Sequence, residues 1–211
     1  SLNCLLEVYK KTGYYKALIL VPTITLVNQW ENECKRFRSN NIIKVYSKRP
    51  KWKSDIESLH LQERIYGGED KVSYVVIATY ASFAKDGAFD LLNSLSSRAM
   101  FIADEAHNMG SGGIRKKLPM IRYKRRIGLS ATPDRQYDDA GNNALLKFFG
   151  AEEKYTYEYS MKEAIEKGVL CRYQYYPHIV RLTDGEMIEY NELSKQIAKY
   201  FHRDTVRLIH A

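Results

Sequence analysis

Five apolar runs of strand length, spaced by helical patterns and turns, constrain this chain more than any other feature. They occupy residues 17–21, 42–46, 73–78, 99–103 and 126–130. The first reads Ala17-Leu18-Ile19-Leu20-Val21 with no polar member. Such a run suits a parallel strand covered on both faces. Between the runs, Leu2, Leu5, Leu6 and Tyr9 recur at helical spacing until Gly13, and Leu26, Val27 and Trp30 do the same over residues 25–37. Residues 53–64 and 86–96 are also expected to be helical, with Gly67-Gly68 breaking the first of these. Strands alternating with helices predict an α/β fold, a parallel sheet with right-handed crossovers and helices on both faces.

The fourth run, Met100-Phe101-Ile102-Ala103, leads directly into Asp104-Glu105-Ala106-His107. Ligands of open α/β sheets sit beyond the carboxyl ends of the strands, where this acidic pair is delivered. The first carboxylate suits Mg²⁺, a hard cation that prefers oxygen ligands and keeps much of its water. The second suits a base that orients and deprotonates a water attacking a γ-phosphate. Taken alone, an Asp-Glu pair reads first as a solvated strand exit.

Three more segments stand in a fixed order around it: Val21-Pro22-Thr23 with Leu26 and Gln29, then Ala78-Thr79-Tyr80, then Gly128-Leu129-Ser130-Ala131-Thr132-Pro133. With Asp104-Glu105-Ala106-His107, they resemble motifs Ia, Ib, II and III of superfamily 2 helicases of the DEAH type. The branch holding the xeroderma pigmentosum group B repair helicase and the helicase subunits of restriction systems is the nearest in look. The resemblance covers roughly residues 1 to 180. It implies a RecA-like lobe of the P-loop NTPase type, with ATP and Mg²⁺ as cofactors, in a motor that moves on duplex DNA in restriction or repair.

On this resemblance Asp104 binds Mg²⁺, Glu105 is the catalytic base and His107 senses nucleotide state. Ser130 and Thr132 couple hydrolysis to strand movement, since small hydroxyls at a strand end can exchange hydrogen bonds with Asp104 or His107; capping of the turn before Pro133 is the alternative. Thr23, Gln29 and Thr79 match positions near the nucleic-acid contact, although Thr at such a turn is also a good N-cap. Arg135 matches a frequent family tail and is read here as an exposed arginine.

Such a motor needs a glycine loop ending in Gly-Lys-Ser or Gly-Lys-Thr before a helix. The 211 residues contain no such loop. Ser1 stands immediately before the first helix, and is either the last residue of that loop, with a hydroxyl for Mg²⁺, or a cloning remnant. The arginine-bearing motifs of a second lobe are likewise missing, so the piece alone is expected to be inactive.

The net charge of +8 fits an anionic partner, here duplex DNA, with RNA not excluded. Lysines and arginines concentrate in residues 48–53, around Trp52, and 115–126, read as a solvated face. Trp52 either stacks on a base or packs on its own domain. Three scattered cysteines, Cys4, Cys34 and Cys171, argue for reduced thiols and a cytoplasmic protein. No apolar run approaches a membrane span and no membrane partner is expected. A nuclease or restriction partner follows from the resemblance alone. The rival reading is a non-enzymatic DNA-binding or regulatory module that kept the fold.

After Gly150 the texture changes. Tyr155, Tyr157 and Tyr159 alternate as a strand would, residues 161–167 read as a short helix closed by Gly168, residues 173–182 read as a strand, and residues 186–210 as a long helix. The expected organisation is a lobe over 1–150, its end and crossing segment over 151–183, and the start of an incomplete second lobe over 184–211.

Overall fold

The computed structural model describes residues 1–66, 72–151 and 155–209, with the side chains of all but residues 198 and 200–209 among them. The expected Gly67-Gly68 break lies outside the described residues. The chain divides into two compact units, Ser1–Tyr157 and Glu158–Ala211.

In the first unit, helix α1 (Leu2–Thr12) precedes strand β1 (Lys16–Val21), α2 (Ile24–Arg36), β2 (Ile42–Val45), α3 (Trp52–Ile65) and β3 (Tyr74–Thr79). The short α4 (Tyr80–Phe83) and α5 (Asp86–Asn93) lead to β4 (Met100–Asp104). The 3₁₀ turn Ala106–Gly110, α6 (Gly112–Arg115), β5 (Arg125–Leu129) and α7 (Asp139–Phe149) follow. Gly13 and Gly150 close α1 and α7 with φ of 79° and 72°, the left-handed cap that glycine adopts without a Cβ penalty.

All five strands join one parallel sheet in the order β2-β3-β1-β4-β5. The five expected strands are all present. From β1 the chain moves outward through α2 to β2 and returns to β3; it then passes over β1 to β4 on the other side. The direction reverses between β1 and β4, which opens a crevice at their carboxyl ends. Residues at those ends come into register, with Val21 opposite Thr79 and Asp104 opposite Leu129.

Helices cover both faces. Leu5 of α1 with Val27 and Cys34 of α2 pack on Ala17, Ile19, Val75, Ile77 and Ile102. On the opposite face, α3, α4, α5 and α7 bury Ile56, Leu59, Phe83, Phe89, Leu92 and Phe148 against Leu18, Leu20, Val76 and Phe101. Trp52 belongs to this second core, which excludes base stacking by that ring. Beneath it, the buried Lys16 ammonium meets Glu63 at 2.6 Å.

The basic concentration at 115–126 is only in part a solvated face. Lys117 is buried, pairs with Asp86 and lies over the Phe89 ring. Arg126 donates to the carbonyls of Ile121, Tyr123 and Phe148.

The second unit holds α8 (Met161–Glu166), with Gly168 at φ 69°, and α9 (Asp184–Ile209). The expected strands at Tyr155–Tyr159 and 173–182 do not form. Alternating side chains make a strand only where a neighbour supplies backbone partners, and residues 171–182 are exposed throughout. Among the described residues no helix is long and apolar enough to cross a membrane. Cys4, Cys34 and Cys171 are free thiols.

Candidate functional site

Strand β4 carries Asp104 to the carboxyl end of the sheet, half-buried after four buried residues. Two partners from distant parts of the chain hold it. The indole Nε1 of Trp30, on α2, donates to Asp104 Oδ2 at 2.8 Å, and the buried Tyr80 hydroxyl donates to the Asp104 carbonyl at 2.8 Å. Burial, with the Asp104 and Glu105 charges, pushes the Tyr80 phenol far up, so it is a permanent donor. Asp104, Trp30, Gln29 and Ser1 line a cleft of about 400 Å³ together with Leu26 and Glu33.

Glu105 adopts φ 52° and ψ 55°, the left-handed region that costs a non-glycine residue of order 1–3 kcal/mol. Its side chain is turned outward and is 40% exposed. The 3₁₀ turn that follows brings His107 Nδ1 to 3.0 Å from Ser130 Oγ and 3.5 Å from Glu105 Oε2. Asn108 Nδ2 donates to the Glu105 carbonyl at 2.9 Å and stands 3.3 Å from His107 Nε2. An amide NH₂ can only donate, so in the neutral ring Nε2 accepts and Nδ1 carries the proton towards Ser130. Ser130 Oγ also accepts from the Thr132 amide at 3.2 Å, while Thr132 itself is exposed.

Arg135, expected to be exposed, is instead a clamp. Its Nη1 donates to the His107 carbonyl at 2.8 Å and its Nε to Asp138 Oδ2 at 2.7 Å. Its shaft crosses Gly110 so closely that a Cβ there would stand 2.5 Å from Arg135 Cδ. The Arg135 bond, with the Gly141 amide that Asp138 caps, lowers the Asp138 pKa. The Ser130–Asp138 loop is thereby joined to both α7 and the His107 turn.

The other expected residues are placed as follows. Thr23 is exposed and N-caps α2, accepting from the Leu26 amide at 3.3 Å. Gln29 is exposed on the same helix, at the cleft. Thr79 is buried, and its hydroxyl is committed to the α4 cap, bonding the Ser82 amide and hydroxyl. Ser1 is the N-cap residue of α1 and makes no side-chain cap bond there. Trp30, Tyr80 and Asn108 were not foreseen as site residues. The indole after Gln29 and the phenol after Thr79 lie inside segments already singled out, but nothing in their spacing names a partner 74 or 24 residues away.

A divalent cation fits this donor set. Asp104 and Ser1 offer oxygen ligands alone at one cleft, which suits Mg²⁺ over softer metals. Among the described residues no group of three or more His, Cys, Asp or Glu side chains could hold a metal. Sparse protein ligation is normal for Mg²⁺ bound with phosphates and water.

Comparison with known proteins gives these positions a family. The family model described as "Type III restriction enzyme, res subunit" matches residues 1–135. The chain is 25% identical over 192 residues to the DNA 3'-5' translocase XPB2 of Sulfurisphaera tokodaii, covering 90% of this chain and 37% of that protein. It is 32% identical over 124 residues to a protein of Haloarcula marismortui named for the DNA 3'-5' helicase Rad25, covering 59% of this chain and 17% of the relative. The chain thus spans well under half the length of these curated relatives. Its fold is similar to a nuclease-deletion mutant of the type ISP restriction-modification enzyme LlaGI, solved with a DNA substrate mimic. The TM-score is 0.56 and the identity 19%, over 80% of this chain and 17% of that one. The chain belongs to the family of the type III restriction enzyme res subunit, and carries the first RecA-like lobe of a superfamily 2 helicase.

Proposed function

We propose that this lobe serves an ATP-driven motor that moves on duplex DNA, in a restriction or repair setting. The observation that carries the reading is the convergence of Asp104, Glu105, His107 and Ser130 at the carboxyl ends of adjacent strands β4 and β5. Asp104 and the Ser1 hydroxyl are the groups that would hold Mg²⁺. When bound, that ion neutralises charge on the ATP phosphates. Glu105 is the base: its carboxylate is exposed enough to meet a water, and it takes the proton as that water attacks the γ-phosphate. His107, held by Ser130 and Asn108, reads the state of the site, and Ser130 with Thr132 relays it along the loop that Arg135 clamps.

Thr23 and Gln29 face the DNA, with the exposed start of α2 as a phosphate contact. Thr79 supports the Tyr80 turn. Residues 184–211 begin a second lobe, and a nuclease or restriction subunit is the partner class. Residues 1–211 by themselves hold no Gly-Lys phosphate loop, and are expected to fold without turning over ATP.

The test is Glu105→Gln in the natural protein. ATP binding is expected to persist while turnover falls about 10²–10⁴-fold, the usual range for a general base. Near-normal turnover would remove Glu105 from the role. A second measurement bears on the track: duplex DNA affinity should drop steeply as salt rises, since counterion release drives phosphate binding.

A further inference from the structure

We propose that Trp30 is a positioning residue for the Asp104 carboxylate, its indole N–H holding Oδ2 so that the other oxygen is presented to the metal. The inference rests on the reading of Asp104 as the Mg²⁺ carboxylate.

The terminal torsion of an aspartate is broad, so a carboxylate at a strand end has no fixed plane of its own. Among the described residues, Trp30 is the hydrogen-bond partner of this side chain, at 2.8 Å. Indole is a donor with no acceptor, so it can grip one oxygen without competing as a ligand. A hydrogen bond to a charged acceptor is roughly twice as strong as a neutral one, and the bond is part-buried. Trp30 in turn packs against the core formed with α1 and α2, which fixes the ring that fixes the carboxylate. Groups that orient a metal ligand typically change metal affinity 10- to 100-fold when removed.

Trp30 also lies seven residues after the α2 cap Thr23, close to two full turns and therefore on the same side of the helix. The carboxylate is thus tied to a helix whose start is the proposed DNA contact.

Trp30→Phe keeps the ring and deletes the N–H. In the natural protein with a non-hydrolysable ATP analogue, Mn²⁺ binding is read from the electron paramagnetic resonance of the free ion. The variant is expected to bind Mn²⁺ about 10- to 100-fold more weakly. In turnover, the Mg²⁺ concentration for half-maximal rate should rise while the rate at saturating Mg²⁺ changes little. Asp104→Asn is the control for the underlying reading and should lose most Mn²⁺ affinity. Normal Mn²⁺ affinity in Trp30→Phe, with loss in Asp104→Asn, would overturn the positioning role alone. Normal affinity in Asp104→Asn would overturn the metal reading and the proposal with it. Trp52→Phe leaves Trp30 as the sole indole of the described chain and covers the case of a Trp30 variant that fails to fold. Its emission is expected to be quenched by bound Mn²⁺, and unchanged emission on binding would also overturn the proposal.

Discussion

The two faces of the sheet are built to different depths. One is an aromatic core in which Phe101 touches Phe83, Tyr123 and Phe148, with ring centroids 5.5–6.1 Å apart. The other rests on two helices, and Leu5 is the buried residue of α1. Both cover the same strands, whose side chains alternate between faces. The cleft with Asp104, Trp30 and Ser1 opens on the thinner side. A deep core fixes the strand ends, while the shallow face leaves room for a ligand and a helix that can respond to it.

The sharpest way to break this comparison is Phe101→Ala. It should cost about 3–5 kcal/mol, read from the denaturant midpoint, because the aromatic neighbours cannot all collapse into the space. Glu63→Ala tests the same side through charge. Lys16 would be left unpaired in the interior, at a cost of about 3–5 kcal/mol, whereas replacing both partners with apolar residues should recover most of it. Leu5→Ala on the thin face should cost about 2 kcal/mol, the low end for such truncations, since the cleft lets α1 settle. A loss equal to that of Phe101→Ala would show the two faces to be energetically alike. Thr23→Ala removes a cap and should cost about 1 kcal/mol.

The smallest effect is chemical. Burial, with Glu33 and Glu31 nearby, pushes the Cys34 thiol up to about 11 from an ordinary 9.0. The folded protein holds that proton more tightly than the unfolded chain. This contribution to stability is therefore complete below pH 9 and is lost as pH rises through about 11. At pH 8, thiol reagents should modify Cys4 and Cys171 on mixing and Cys34 about a hundredfold more slowly, as mass spectrometry can follow. Equal rates would mean that α2 opens freely.

The strands were legible because burial on both faces forbids polar residues over a whole run, as in Ala17-Leu18-Ile19-Leu20-Val21. Helix α7 was not: Gly141, Asn142 and Asn143 dilute its apolar stripe, and its start depends on the Asp138 cap. Tyr155, Tyr157 and Tyr159 carried the period of a strand, yet residues 155–160 form none. Asp104 and His107 were visible through their motif. Trp30 and Arg135 were not, because what each does is set by a carboxylate or carbonyl brought close only by the order β1-β4-β5.

Strand β5 ends the sheet with no ladder on its far side among the described residues, and Ile127 and Leu129 are only half-covered. A row of unanswered amides and carbonyls is a template for self-association. Arg125, exposed at its start, acts as a gatekeeper by repulsion between copies, while Arg126 is turned in to the carbonyls of Ile121, Tyr123 and Phe148. High salt, which screens that repulsion, should therefore make this piece of protein clump, so the salt that would release it from the proposed DNA partner is also the condition under which it keeps worst in solution.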